Sequence, residues 1–212
     1  APATLLHHLL TKIDYPDVAG INGVAWDAVE LPSQFMENWC WQEEILSWIS
    51  RQFETGEPLP KKLFDRLMEA KNYHSGMQMM RQLEFSLFDF ITHMDFNETF
   101  TSTDVSAILN EVRKAVAVVP SVEYNRFQHA FSHVFAGGYA AGYYSYKWAE
   151  VLSSDAFASF EENGIFDAKT GRRFLENILQ MGGSKEPMAL FVDFKGREPS
   201  VDALLRHSGI AV

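Results

Sequence analysis

The chain has 212 residues, 47% hydrophobic and 14% aromatic, so it carries enough apolar material for a sizeable core and is not a charge-dominated disordered chain. Lys and Arg number 18 against 28 Asp and Glu, a formal charge of −10, and no basic cluster stands out, which excludes nucleic acid as an expected partner. Its single cysteine, Cys40, excludes an intrachain disulfide and a cysteine-rich metal site and fits a reducing compartment, with the cytoplasm expected.

In chain order, Leu5, Leu6, Leu9, Leu10 and Ile13 recur with helical period around His7 and His8, so the chain is expected to start within or just before a helix, with a preceding segment missing. No run of about 18 apolar residues could span a bilayer, and no signal-peptide layout opens the chain, so no membrane partner is expected. Residues 17–26, DVAGINGVAW, mix turn residues with β-formers and are expected to form a loop or short hairpin. At VELPSQFMENW, Glu30 opens a helix with Pro32 in its first turn, and Glu37 falls on the same face. Cys40 continues that helix between Trp39 and Trp41, an apolar setting expected to keep the thiol inert.

Pro60 opens the next helix, with Leu63, Phe64, Leu67 and Met68 on one face. Met77, Met80, Leu83, Leu87, Phe88, Ile91 and Met94 predict the inward face of a longer helix. Thr103 or Asp104 can cap a helix that buries Ile108, Leu109, Val112 and Val116 and stops before Pro120. Further on, Phe174, Leu175, Ile178 and Leu179 form a face ending at Gly182 and Gly183, Ser184 can cap a helix over 187–194, and residues 200–207 form the last. The chain therefore reads as mainly α. Neither a repeat nor a linker composition divides it, so residues 1–212 are expected to form a single helical unit.

The chemistry-bearing segment is 130–148, AFSHVFAGGYAAGYYSYKW, whose spacing puts Tyr139, Tyr143 and Tyr146 on one helix face after Gly137 and Gly138. Phenols donate and accept hydrogen bonds, so such a face suits a carbonyl or a developing oxyanion, and it equally suits amphipathic packing. Glu30 is open to two readings in the same way, a metal-ligating carboxylate or an acid complementing a helix dipole. His7 and His8 diverge by roughly 100° on a helix and cannot share an ion. No HExxH occurs anywhere, and His129 and His133, four apart, lack a Glu after the first. No G-x-S-x-G elbow is present, and the Gly137 and Gly138 pair lacks the lysine of a phosphate loop.

Five strings, LHHLLT at 6–11, INGVAWDAVELPSQFMENW at 21–39, RQLEFSLFDF at 81–90, FSHVFAGGYAAGYYSYKW at 131–148 and GREPSVDALLRHSGI at 196–210, resemble the thimet oligopeptidase and neurolysin family of zinc peptidases. The resemblance covers nearly the whole chain from Leu6 onward. It implies the C-terminal helical part of a zincin-type catalytic domain, lining one side of a channel that admits short peptides. In that family zinc is held by the two histidines of HExxH and a glutamate on a later helix, which the resemblance places at Glu30. HExxH would immediately precede LHHLLT, where residues 1–5 read APATL. Two ligands and the general base are therefore expected to be absent. The resemblance also implies that His133, Tyr139 and Tyr146 line the cleft with the phenols on the oxyanion, that Tyr143 stands nearer the peptide, and that the loop of Gly137 and Gly138 passes along the substrate. Spacing adds Glu37 as a residue that could orient a zinc-bound histidine.

The expected function is thus that part of a zinc-dependent oligopeptidase, with zinc in the intact enzyme and none held by this chain alone, which would be inactive. Its partners would be short peptide substrates and the missing N-terminal part. The alternative is a non-catalytic peptide-binding or structural half-domain that self-associates through exposed apolar surface.

Overall fold

The computed structural model describes residues 2–210, with side chains from Leu5 onward; Ala1, the first residue of APATL, lies outside the described residues. The helices in chain order are α1 (Pro2–Leu10), α2 (Trp26–Val29), α3 (Leu31–Glu37), α4 (Glu43–Ile49), α5 (Lys61–Lys71), α6 (Ser75–Met94), α7 (Ser102–Val116), α8 (Phe127–Ala130), α9 (Ser132–Phe135), α10 (Ser145–Asn163), α11 (Ala168–Phe174), α12 (Pro187–Lys195) and α13 (Asp202–His207). No strand occurs among the described residues, so the fold is mainly α as the periodicity predicts. The chain divides into two compact units, Ala1–Tyr73 with Trp148–Val212 and His74–Lys147.

The first unit is built on aromatic packing. Phe35 of α3 is 2% exposed and stacks on Phe174 with ring centroids 3.9 Å apart. Trp39 lies edge-on to Phe35, Phe157 and Phe160 and donates its indole N–H to the Ile165 carbonyl at 3.0 Å, so its polar atom is satisfied in the core. Phe191 and Phe194 of α12 complete this core with Leu152, Ala156 and Leu190. Of the face expected at Phe174, Leu175, Ile178 and Leu179, all but the half-buried Leu175 are buried. A π-helical turn, Leu175–Leu179, carries it, with the Gln180 amide donating to Leu175 O at 2.9 Å.

Residues 17–26 form a loop and no hairpin. It opens with a single 3₁₀ turn, Pro16–Val18, and its polar backbone is taken up elsewhere: the Gly183 amide donates to Val18 O at 2.9 Å. A Cβ at Gly182 would sit 2.5 Å from Val18 O, and one at Gly183 2.5 Å from Asn22 O. This glycine pair, which marks a helix end in the sequence, is therefore also the seat on which the loop rests. Ser184 does not cap α12. Its hydroxyl donates to Met181 O at 2.6 Å, and α12 opens with Pro187 in its first turn after Glu186.

A buried carboxylate fixes the segment after α12. Asp155, 1% exposed, accepts two hydrogen bonds of 2.7 Å from the Arg197 guanidinium and one of 2.9 Å from the Ser200 amide. Burial pushes this carboxyl up, but Arg197, the Ser200 amide and Lys195 outweigh it and hold it below the usual range.

The second unit packs α6 against α7 around Phe88, Leu109, Phe131 and Val134. The N-cap of α7 is Thr101, earlier than expected, in a capping box with Asp104. Ile108, Leu109, Val112 and Val116 turn inward or lie half-buried as the period predicts. The orientation of α6 departs from the apolar pattern. Phe88 is 0% exposed, yet Met77, Leu83, Leu87 and Met94 are exposed, while Glu84, Ser86, Asp89 and Thr92 are buried. Polar partners explain this: Glu84 accepts from Arg81 at 2.7 Å and from Arg113 at 2.8 Å, and Asp89 is similarly occupied, as described below.

Candidate functional site

The tyrosine segment is not one helix. Chain 127–135 is interrupted at Phe131 between α8 and α9, and α10 begins only at Ser145, so Tyr139 and Tyr143 stand on irregular backbone and only Tyr146 is helical. The same interruption separates His129 and His133, which do not share a helix. The glycines explain the first departure. A Cβ at Gly137 would lie 2.9 Å from His133 O, so only glycine lets the chain fold back on α9 there, and the Tyr139 amide then donates to His133 O at 3.1 Å. Ala141 adds a left-handed residue at φ 54°.

This loop nonetheless gathers the residues that the sequence singles out. The Tyr139 and Tyr146 rings stack at 5.1 Å, Tyr143 and Tyr146 are 5.2 Å apart, and the His133 ring lies 6.2 Å from Tyr139 and 6.3 Å from Tyr143. Tyr143 donates its hydroxyl to Gln82 Oε1 at 3.1 Å. Burial first, and then Tyr146, push the Tyr143 phenol above its usual range, with Arg81 opposing, so at neutral pH it is a protonated donor. Chemically, the cluster offers phenol O–H groups and an exposed imidazole beside a glycine-rich turn, a set suited to a peptide carbonyl.

Two supporting residues were not legible as functional. Asp89 and Gln82 lie on α6, where the apolar pattern points to the opposite face. Asp89 accepts from the Ala141 amide and the Tyr143 amide, each at 2.9 Å. The available signal was the acid itself, a charge flanked by Phe88 and Phe90 in a helix that packs on α7.

Glu30 and Glu37 belong to the first unit. Glu30 caps α3, is half-buried and accepts from the Ser33 hydroxyl at 2.7 Å. Glu37 ends α3. Partial desolvation, then the charges of Glu150 and Glu30, raise the Glu37 carboxyl above its usual range. Glu150, on α10, is the member of this acidic group that spacing along one helix could not reveal. Among the described residues no group of three or more His, Cys, Asp or Glu could hold a metal ion. The donors of the described residues thus do not by themselves gather the three or more protein ligands that zinc takes.

Cys40 differs from expectation. The helix ends at Glu37 and gives way to a 3₁₀ turn, Asn38–Trp41, whose Asn38 side chain donates to Phe35 O at 3.0 Å. Trp39 turns into the core and the cysteine is exposed rather than held in an apolar setting. His7 is 3% exposed with no hydrogen-bond partner for either ring nitrogen among the described residues, and burial, then His8, lower its pKa from 6.5 to about 4. No helix among the described residues is long and apolar enough to cross a membrane.

Comparison with known proteins places the chain in a family. The family model of peptidase family M3 matches residues 4–210. The chain is 60% identical over 205 residues to Oligopeptidase A of Escherichia coli (strain K12), an alignment covering 97% of this chain and 30% of that protein. It is 48% identical over 209 residues to Probable cytosolic oligopeptidase A of Arabidopsis thaliana, again 97% of this chain and 30% of the relative. Saccharolysin of Saccharomyces cerevisiae is 30% identical over 210 residues, covering 97% of this chain and 29% of the relative. The chain thus spans under a third of the length of the curated relatives it matches.

Proposed function

Because this chain belongs to peptidase family M3, we propose that it is the C-terminal part of the catalytic domain of a zinc-dependent oligopeptidase that hydrolyses short peptides in the cytoplasm. The observation that supports the reading is the gathering of His133, Tyr139, Tyr143 and Tyr146 around one glycine-rich loop, with ring centroids 5.1–6.3 Å apart. In this proposal the two compact units are parts of one catalytic domain. Tyr139 and Tyr146 present phenol O–H groups to the scissile carbonyl and its oxyanion, where a donor fixed in advance strengthens as charge develops. His133 lines the same cleft. Tyr143, held by Gln82, orients the neighbouring peptide, and Gly137 and Gly138 let that peptide run close to the backbone.

Zinc enters through the family. In the whole enzyme it supplies Lewis-acid activation, Glu30 is the ligand this chain contributes, and Glu37 orients a histidine ligand supplied from elsewhere. One carboxylate cannot retain the ion, so the chain alone is inactive and metal-free. The test pairs cleavage of a quenched-fluorescent peptide with calorimetry of the same peptide on the 212-residue chain. Saturable binding without cleavage, weakened about tenfold by Tyr139→Phe or Tyr146→Phe, is expected, roughly the loss of one hydrogen bond. Chelator-sensitive cleavage would overturn the inactivity, and no binding at all would remove the site from this chain.

A second reading has its own observation. Leu83, Leu87, Phe90 and Met94 recur along one face of α6 and are 37–66% exposed. Such a face favours self-association of the isolated chain.

A further inference from the structure

We infer that Asp89 is the positioning residue of the tyrosine loop: its carboxylate, gripping the backbone on either side of Gly142, sets where the Tyr139 and Tyr143 rings stand against Tyr146. The inference rests on the reading above only for its consequence in peptide binding.

Asp89 is 1% exposed, a setting in which a carboxylate persists only when its lone pairs are filled. They are filled by the loop. Oδ1 accepts the Ala141 amide and Oδ2 the Tyr143 amide, each at 2.9 Å, and His93 Nδ1 lies 2.8 Å from Oδ1. Nδ1 also lies 2.9 Å from the Asp89 carbonyl, so the imidazole holds the carboxylate from its own helix and leaves the other lone pairs to face the loop. The two amides so held bracket the one place where a non-glycine residue of the loop takes a left-handed conformation, Ala141 at φ 54°. Such a residue keeps that conformation only where its surroundings impose it.

Between Gly137 and Tyr144 the backbone makes turns and no helix, with the Gly142 amide donating to Tyr139 O at 2.8 Å and the Tyr146 amide to Tyr143 O at 3.3 Å, so helical pitch does not space the phenols and these local turns need anchoring to α6. The anchors supply that spacing. Tyr143 is held twice by α6, at its amide by Asp89 and at its hydroxyl by Gln82, which lies two turns earlier on the helix. Tyr139 lies two residues before the Ala141 anchor and is held from the other side by its N–H, which donates to His133 O at 3.1 Å. A carboxylate is required here because it is acceptor-only: two converging N–H groups are satisfied together by two oxygens, whereas an Asn would turn its NH₂ toward one of them.

A merely structural buried acid would stabilise the second unit without fixing the rings, and the experiment separates the two. In the unmodified chain, amide exchange by NMR should be at least tenfold slower at Ala141 and Tyr143 than at Ala140. Equal rates would overturn the inference without any variant. In Asp89→Asn, the protection at one or both amides and the nuclear Overhauser contacts between the Tyr139 and Tyr146 rings should be lost, while the amides of α6 around Phe88 stay protected. Retention of the ring contacts in a folded Asp89→Asn chain would overturn it. Peptide calorimetry then completes the test. If Tyr146→Phe weakens binding and Asp89→Asn weakens it about as much, the positioning role carries through to ligand. If Tyr146→Phe weakens binding and Asp89→Asn does not, the inference falls. Should Tyr146→Phe leave binding unchanged, the peptide reading fails while the exchange and ring-contact results still decide the role of Asp89.

Discussion

His7 shows what a single buried imidazole does to stability. Its ring is 3% exposed and without a hydrogen-bond partner among the described residues, and burial, then His8, hold its pKa at about 4 against the ordinary 6.5. Because folding favours the neutral form, the stability is complete above pH 6.5 and is lost as the pH falls from 6.5 toward 4, by on the order of 3 kcal/mol. We expect urea titrations to show this loss, and His7→Leu to flatten the curve in that window; an unchanged slope would refute the assignment. Glu161 acts in a lower window. Hydrogen bonds from His207, at 2.9 Å, and from Arg206 outweigh its desolvation and hold its carboxyl at about 2 against 4.5. Its contribution is therefore present above pH 4.5 and disappears as the pH falls toward 2. Glu161→Gln should lower stability at pH 7 by about 1 kcal/mol, discounted for solvent screening, and by almost nothing near pH 2. Of the residues singled out from sequence, the tyrosines and His133 do come together, because glycines, which any reader can see, let the chain turn back. Asp89 was not legible because its partners are backbone amides more than 50 residues away, and no side-chain pattern records them.

At the level of elements, α6 is where pattern and structure part. Seven apolar positions along it outvoted a few polar ones in the sequence, but the polar ones had obligate partners in α7 and the tyrosine loop, and a buried charge with partners outranks an apolar side chain left half in water. The consequence can be measured at two adjacent residues. Phe88→Ala, at a site 0% exposed, should cost the second unit about 3–5 kcal/mol, whereas Leu87→Ala, 40% exposed, should cost less than about 1 kcal/mol. Equal costs in chemical denaturation would mean that α6 faces the other way. In α3, by contrast, apolar side chains do form the buried face, with Leu31 3% and Phe35 2% exposed. What the sequence did not foresee was the change to a 3₁₀ turn at Asn38, whose side chain donates to Phe35 O and to Ser153 Oγ, each at 3.0 Å, and which leaves Cys40 exposed.

For the molecule as a whole, apolar surface and missing ligands lead to two expectations. With Leu83, Leu87, Phe90 and Met94 exposed along α6, sedimentation should show an average mass that rises with protein concentration, and Leu87→Glu with Phe90→Glu should return the chain to monomer. A concentration-independent monomer would discount that face. Elemental analysis after dialysis should find far less than one zinc per chain, since no metal-binding group of three exists among the described residues; near-stoichiometric zinc would require a donor set not recognised in them. The sequence by itself determined the helical class, most helix positions and the membership in peptidase family M3, because periodicity, helix-ending glycines and long motif strings are local and survive in one dimension. Only the tertiary structure decided which side of α6 is buried, that the tyrosine segment is a loop, and that Asp89 holds it. Those outcomes depend on hydrogen bonds between distant segments, whose formation outweighs the local preference for continuing a helix or burying an apolar stripe.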